Sequence, residues 1–466
     1  MTSPHQGDES ADLGVARVEQ ALNDRSPDRI VPTLDRIAAL LELMGDPQCG
    51  YPSIHVTGTN GKTSTVRMID SLLRAFGLRT GRYTSPHLES VTERIALTGE
   101  PLSAEAFTRA YAEVAPYAEL VDARSADRLT YFELTTAMAF AAFADAPVDV
   151  GVVEVGLGGR WDATNVLQAP VAVVTPIDLD HQAYLGDTVA AVARDKAGII
   201  HPGSVLVCAR QQAAAATELL RRVGEVEGTA VREGVDFGVR ERSVAVGGQV
   251  LTLQGLHGEY DDVFLPLHGA HQAVNAACAL VAVEVFLGGG RGVLDPEAVS
   301  AGFAAADSPG RLEAVWSSPL VLLDAAHNPA GARALAAAVE EGFQFRRLVG
   351  VVAMLADKDV AGILTALEPV LDEVVVTTNS AARALAVDEL AGVAARIFGA
   401  ERVEVADRLD DALETAVNLA GADGAAGGAG VLVTGSVVTV GDSRRLLRSG
   451  DLSLGSGSAV AKEPSS

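Results

Sequence analysis

The stretch Thr57-Gly58-Thr59-Asn60-Gly61-Lys62-Thr63-Ser64-Thr65 constrains the fold more than any other part of the chain, because it reads as a strand handed to a helix through a glycine turn. Ile54-His55-Val56 ends a short buried strand, and Val66, Ile69, Leu72 and Leu73 recur at helical spacing. Gly58 and Gly61 permit a tight path, backbone N–H groups and the helix N-terminus face an anion, and Lys62 reaches its outer oxygens. The full phosphate-loop pattern would need glycine at position 56, where this chain has Val56, so the loop is a shortened form.

Around this turn the pattern is α/β. Val15, Leu22, Leu34, Ile37, Leu40, Leu41 and Met44 read as helical packing ahead of the loop. Strands are expected at 148–153, 171–175 and 205–207, each followed by polar residues at the carboxyl edge of a mostly parallel sheet, where open α/β folds bind ligands. Residues 224–267 suggest antiparallel hairpins, with Val244-Ala245-Val246 and 250–253 as strands. Pro309-Gly310-Arg311 marks a boundary before a second series of strands at 320–323, 348–352, 374–377 and 431–434. The expected division is an ATP-binding domain over 14–308 and a smaller Rossmann-like α/β domain over 309–450. Flexible tails are expected at 1–13 and 451–466, and a Gly/Ala surface loop at 421–430.

A length of 466 residues fits two or three domains. A formal charge of -25 argues against broad nucleic-acid binding but leaves room for a local basic pocket holding a polyanion. Cys49, Cys208 and Cys278 lack metal-ligand spacing and suit free thiols in a cytoplasmic protein. The N-terminus lacks a secretory pattern, and the apolar run at 137–140 is broken by Asp145 and Asp149, so no membrane span is expected there.

Several polar groups at strand ends could carry chemistry. Glu154, before the Gly156-Leu157-Gly158-Gly159-Arg160 turn, could hold Mg²⁺ beside phosphates or orient its loop. His181 offers an imidazole near a cation, with Asp178 and Asp180 as partners or turn residues. Lys196, taken alone, reads as a solvated helix-end lysine. Asp324 and His327 could orient an attacking amine or bind a transferring phosphoryl group, Asn328 could cap the next helix, and Asp357-Lys358-Asp359 adds charge on the same edge.

Taken together, the chain resembles the folylpolyglutamate synthase and dihydrofolate synthase family of Mur ligases. The resemblance rests on Gly58-Thr59-Asn60-Gly61-Lys62, Thr84-Ser85-Pro86-His87-Leu88, Glu93-Arg94-Ile95, Glu154 to Arg160, Asp162-Ala163-Thr164-Asn165, Asp180-His181, Lys196-Ala197-Gly198-Ile199, 271–277, 309–313, Asp324 to Pro329 and Asp357-Lys358-Asp359. It implies a Mur-ligase-type phosphate-loop domain followed by a glutamate-ligase domain, with ATP and Mg²⁺. The loop residues Gly58, Thr59, Asn60, Gly61, Lys62, Thr63 and Ser64, with Asn275, Arg311 and Asp324, would contact ATP. Thr63, Ser85, Glu154, His181 and a carbamylated Lys196 would serve the metal. Asp324 and His327 would line the reacting centre, and Arg82, Phe132, Asp162 and His327 would meet the substrate. Residues 84–98 would form a mobile loop, and Thr130 to Glu133 would lie near the pterin.

The implied reaction phosphorylates a dihydropteroate or folate carboxylate with ATP, and the acyl phosphate is then attacked by the amine of L-glutamate. Both acceptors are expected, with a monofunctional folylpolyglutamate synthase or a cell-wall precursor ligase as alternatives. The partners would be small molecules, with no nucleic acid or membrane, and the chain a monomer. Thr63 departs from the glycine that many family members carry after the loop lysine, and leaves open how Thr63, Ser64 and Ser85 divide the work.

Overall fold

The computed structural model describes residues 4–26, 31–288, 292–422 and 428–449. The first sheet comprises β1 (Ser53–Thr57), β2 (Thr80–Tyr83), β3 (Ile95–Leu97), β4 (Glu100–Pro101), β5 (Val150–Glu154), β6 (Val171–Val174), β7 (Val205–Cys208) and β8 (Thr229–Arg232). Their order is β4-β3-β2-β5-β1-β6-β7-β8, parallel from β2 to β8. All five residues of β1 and of β5 are buried, as expected of strands covered on both faces.

One core cluster joins Tyr83 and Val153 of this sheet with Ile37, Leu40 and Leu41 of helix Asp35–Leu43, Phe107 of helix Ala104–Asp122, and Phe140 and Phe143 of helix Tyr131–Asp145. A second joins Ala172, Val174 and Leu206 with Val192 of helix Val189–Lys196 and Leu219 of helix Ala213–Glu225. Strands β9 (Gly238–Ala245), β10 (Gly248–Gln254) and β11 (Glu259–Leu265) form a separate three-stranded sheet in the order β11-β10-β9.

The third sheet is built from β12 (Glu313–Ser317), β13 (Leu320–Leu323), β14 (Arg347–Val352), β15 (Glu373–Val376), β16 (Val403–Val405) and β17 (Ala429–Thr434). Its order is β12-β13-β17-β14-β15-β16, with β12 antiparallel at one edge and the rest parallel. Leu322, Leu335, Val352, Ile363, Val374 and Leu432 fill its core. The chain divides into two compact units, one of 1–241, 251–264 and 274–306, the other of 242–250, 265–273 and 307–466.

Three details differ from the sequence reading. The expected tail at 1–13 is helical from Pro4, within a helix running to Asn23 whose Val18 and Leu22, one turn apart, are buried; that anchored half nucleates the turns before it. Residues 229–232 extend the parallel sheet as β8 instead of opening a hairpin, because their partner is β7. Gly421 closes helix Leu409–Gly421 and Ala429 opens β17, while 423–427 of the expected loop, like 451–466, lie outside the described residues. Helix Ala270–Gly288 is long and apolar enough to cross a membrane, yet 72% of that stretch is buried inside the protein, which makes it a core helix.

Candidate active site

The sheet order assembles the site. In register, β1 lies between β5 and β6, with Val56 opposite Glu154 and Thr57 opposite Val174, so the loops leaving these three carboxyl ends emerge side by side. Strand β2 flanks β5, with Tyr83 opposite Val153, and brings Ser85 to the same edge.

Gly58 and Gly61 hold the phosphate loop in conformations that side chains reject, at φ 151° and 87°. A Cβ at Gly58 would stand 1.8 Å from Thr175 Oγ1, and one at Gly61 2.5 Å from Asn275 Oδ1, so Asn275 of helix Ala270–Gly288 packs directly on the loop. Thr59 ties the loop to the end of β6: its N–H donates to Pro176 O at 3.0 Å and its hydroxyl to Asp178 O at 2.9 Å. Helix Lys62–Ala75 starts at Gly61, with Ser64 buried in its first turn. The Lys62 ammonium folds back onto Gly58 O and Thr59 O, both at 3.1 Å, over the helix N-terminus.

Beside the loop is a cluster of hard oxygens. The Thr63 hydroxyl lies 2.9 and 3.1 Å from the two Glu154 carboxylate oxygens, and the Ser85 N–H donates to Glu154 Oε2 at 3.3 Å. Glu154 is 1% exposed. Among the described residues no group of three or more His, Cys, Asp and Glu could hold a metal ion. One buried carboxylate with hydroxyls suits Mg²⁺, which keeps waters and takes substrate phosphate oxygens to complete its shell.

Lys196 is not solvated, contrary to the reading of that residue alone. It is 4% exposed, and its ammonium donates to Gly58 O at 2.8 Å, beneath the phosphate loop. The cause is the short turn Ala197–Ile199, whose Ala197 and Ile199 enter the core and draw the helix end inward. Burial, reinforced by Lys62, lowers the Lys196 pKa to about 7 against the opposing pull of Asp195, Asp180 and Asp162. A fraction of this side chain is therefore a neutral, nucleophilic amine at neutral pH.

Asp162 faces the loop between β5 and this lysine. One oxygen accepts from Leu157 N at 2.8 Å, and the other from Thr164 N at 3.0 Å and from the Thr164 hydroxyl at 2.5 Å. Because that hydroxyl donates to Asp162, His55 Nε2, at 2.8 Å, donates to Thr164, and its Nδ1 is left as a buried acceptor without a hydrogen bond. Asn165 adds bonds to Arg160 O and Gly198 O, both 3.2 Å, which clamp the glycine turn to the Lys196 helix end. Burial, with a smaller contribution from His201, lowers the His55 pKa to about 3. Between pH 6.5 and 3 the unfolded chain binds a proton that the folded ring refuses, so stability falls as pH falls through this window. A His55→Gln variant is expected to lose less stability than the wild type between pH 7.5 and 4.5, read as the shift in urea midpoint.

Phe132 reaches the same loop from the other side. Its Cζ would be 2.5 Å from a Cβ on Gly156, and its ring lies 5.9 Å from that of Tyr83. Arg82 does not join it. On β2 alternate side chains face opposite ways, and while Tyr83 faces Phe132, Arg82 is buried in an ion pair with Asp70, 2.9 Å from its Oδ2. The arginine near this aromatic pair is Arg94, which lies over the Tyr131 ring at 4.9 Å and donates to His87 Nδ1 at 3.0 Å. Nor is 84–98 a loose loop throughout, because the Glu93 carboxylate accepts from Leu88, Glu89 and Ser90 N–H groups at 2.8–2.9 Å and residues 95–97 form β3. His181 begins helix Gln182–Leu185 with its side chain 40% exposed, its Nε2 3.9 Å from Asp180 Oδ2.

In the second unit, Asp324 directly follows β13, and its oxygens accept from Leu312 and Ala326 N–H groups, both at 2.9 Å. Burial raises its pKa despite the opposing charge of Arg311. His327 Nδ1 donates to Ala325 O at 2.9 Å, and Asn328 caps helix Pro329–Gly342 through Gly331 N at 2.8 Å. Asp359 caps helix Val360–Leu367, so this part of the charge cluster is structural. The sequence reading passed over a buried polar group on the same edge, in which Asn379 donates to Ser436 at 3.3 Å and Thr439 at 3.0 Å while the neighbouring Thr434 and Thr377 hydroxyls lack hydrogen bonds. Its only sequence signal was Thr434-Gly435-Ser436 directly after a hydrophobic strand.

Residues 56–283 match the Mur ligase middle domain, and 310–437 the Mur ligase glutamate ligase domain. Over 462 residues the chain is 52% identical to the dihydrofolate synthase/folylpolyglutamate synthase of Mycobacterium tuberculosis, with 94% of each covered. It is 38% identical to the folylpolyglutamate synthase of Lacticaseibacillus casei over 70% of this chain and 76% of that protein. The structure of the M. tuberculosis folylpolyglutamate synthase complexed with ADP superposes with a TM-score of 0.91 at 52% identity, covering 94% of this chain and 99% of that one. E. coli FolC in complex with DHPP and ADP gives 0.79 at 31% identity, over 93% of this chain and 98% of that one. With matches that span both series of strands, the chain belongs to the folylpolyglutamate synthase and dihydrofolate synthase family of the Mur ligases.

Proposed function

We propose that this protein is a bifunctional dihydrofolate synthase and folylpolyglutamate synthase, an ATP-dependent ligase joining L-glutamate to dihydropteroate and to reduced folates. The observation that carries the proposal is the meeting of Lys62, Thr63, Glu154 and Lys196 around one phosphate loop. In this reading 14–308 is the ATP-binding domain and 309–450 the glutamate-ligase domain, and the enzyme works as a cytoplasmic monomer.

Backbone N–H groups of Gly58 to Ser64 hold the ATP phosphates, with Asn275 against the loop, and Arg311 and Asp324 are further residues for ATP. Lys62 neutralises charge that builds on the transferring phosphoryl group. Mg²⁺, when bound by Thr63, Ser85 and Glu154 with His181 and a carbamylated Lys196, supplies further neutralisation of the phosphates. Phe132 and Asp162 border the flat ring of the acceptor, and Arg94 is the cation on that side. The acceptor carboxylate takes the phosphoryl group from ATP to give an acyl phosphate. His327, held by its Nδ1 bond to Ala325 O, takes a proton as the glutamate amine attacks, and loss of phosphate leaves the amide. Excluding water protects the acyl phosphate from hydrolysis.

Supplying ATP, Mg²⁺ and glutamate with dihydropteroate and, separately, with a tetrahydrofolate, then following ADP and product mass, tests this. Glutamylated product from both acceptors is expected. Product from the tetrahydrofolate alone would make the enzyme a monofunctional folylpolyglutamate synthase, and product from neither would overturn the reading.

A further inference from the structure

The segment 129–132 is held by residues far away in sequence. Thr130 and Glu133 form a reciprocal cap: Thr130 N donates to Glu133 Oε2 at 2.8 Å, and Glu133 N to the Thr130 hydroxyl at 3.2 Å. The same carboxylate receives Arg36 of helix Asp35–Leu43, with Nε at 3.1 and 3.3 Å from its two oxygens and a second guanidinium nitrogen at 3.3 Å. Arg36 is 8% and Glu133 4% exposed. One residue earlier, Arg25 donates to Leu129 O at 3.3 Å and pairs with Asp122 at 2.7 Å, and Asp122 takes Leu129 N at 2.7 Å. Tyr131 N in turn donates to Arg25 O at 3.2 Å.

A buried ion pair is a poor stabiliser, because desolvating two charges offsets their attraction and an apolar pair of like volume does as well or better. What a forked guanidinium on a capping carboxylate does supply is fixed geometry. The residues it fixes, Tyr131 and Phe132, are both partly buried, and Phe132 abuts Gly156 in the loop that leads to Asp162.

We propose that Arg36 and Glu133, assisted by Arg25, are positioning residues that set the acceptor-side wall formed by Tyr131 and Phe132, and so determine affinity for the flat ring of the acceptor. The helices ahead of the phosphate loop thereby take part in acceptor selection, with ATP binding left to the loop. The inference rests on the proposed function, because it needs Phe132 to meet the acceptor.

The double variant Arg36→Met/Glu133→Gln leaves no buried charge, and its glutamine can still accept from Thr130 N. Its KM for dihydropteroate is expected to rise about tenfold, with the KM values for ATP and glutamate within about twofold of wild type. Arg36→Lys, which keeps the charge but not the fork, should fall between. Should the double variant fail to fold, Arg25→Ala removes the hold on Leu129 O and the ion pair with Asp122, and is expected to raise the same KM alone. Unchanged acceptor KM in a folded variant, or equal rises for acceptor and ATP, would overturn the inference and leave a structural role. A wild-type enzyme inactive on every folate-type acceptor would instead overturn the function on which it rests.

Discussion

Replacing Lys62 by methionine is expected to lower kcat about 10³-fold while leaving the fold intact. The ammonium sits at the N-terminus of helix Lys62–Ala75 and donates to two loop carbonyls at 3.1 Å. A positive charge there opposes the helix dipole at a cost of roughly 0.5 kcal/mol, so its removal should not destabilise the helix. The residue is placed where its own helix would rather have none, which is intelligible if an anion binds between them. Steady-state kinetics beside a thermal melt would separate the effects. A variant within tenfold of wild-type kcat would show that Lys62 does not stabilise the transferring phosphoryl group.

Lys196→Met is the second large effect. We expect kcat to fall at least about 10²-fold, because a group contacting Gly58 of the phosphate loop is lost. Stability should move the other way. With its pKa lowered to about 7 from 10.5, the folded lysine refuses a proton that the unfolded chain holds between those values. Wild-type stability therefore rises with pH across that window, and the burial penalty is fully present below about pH 7. In CO₂-free buffer the methionine variant should exceed wild type in urea midpoint at pH 6.5, and the gap should close towards pH 10. The neutral amine is also what carbamylation needs: its nitrogen attacks CO₂, a proton leaves, and the side chain becomes an anionic oxygen donor. Wild-type activity is expected to decay on CO₂ depletion and return with bicarbonate. Insensitivity to both would leave Lys196 an unmodified buried amine.

Most of the parallel framework was legible because buried strands such as 150–154 and 171–174 are Val-rich, and the phosphate turn needs glycines at Gly58 and Gly61. The site was less so. Lys196 looks like any helix-end lysine until Ala197 and Ile199 are known to enter the core, and Arg82 and Arg94 differ only in which face of which element carries them. Strand β8 was misread because it lies in a stretch of short apolar runs separated by glycines, and only pairing with β7 decides. The Arg36–Glu133 pair joins residues 97 apart in sequence, and no local pattern announces such a contact.

The chemistry proposed for the site can be followed atom by atom. With ¹⁸O in the acceptor carboxylate, one turnover in the presence of ATP and glutamate is expected to place one labelled oxygen in inorganic phosphate, with ADP unlabelled. Unlabelled phosphate, or label in a nucleotide, would contradict activation of the carboxylate by phosphoryl transfer at this phosphate loop.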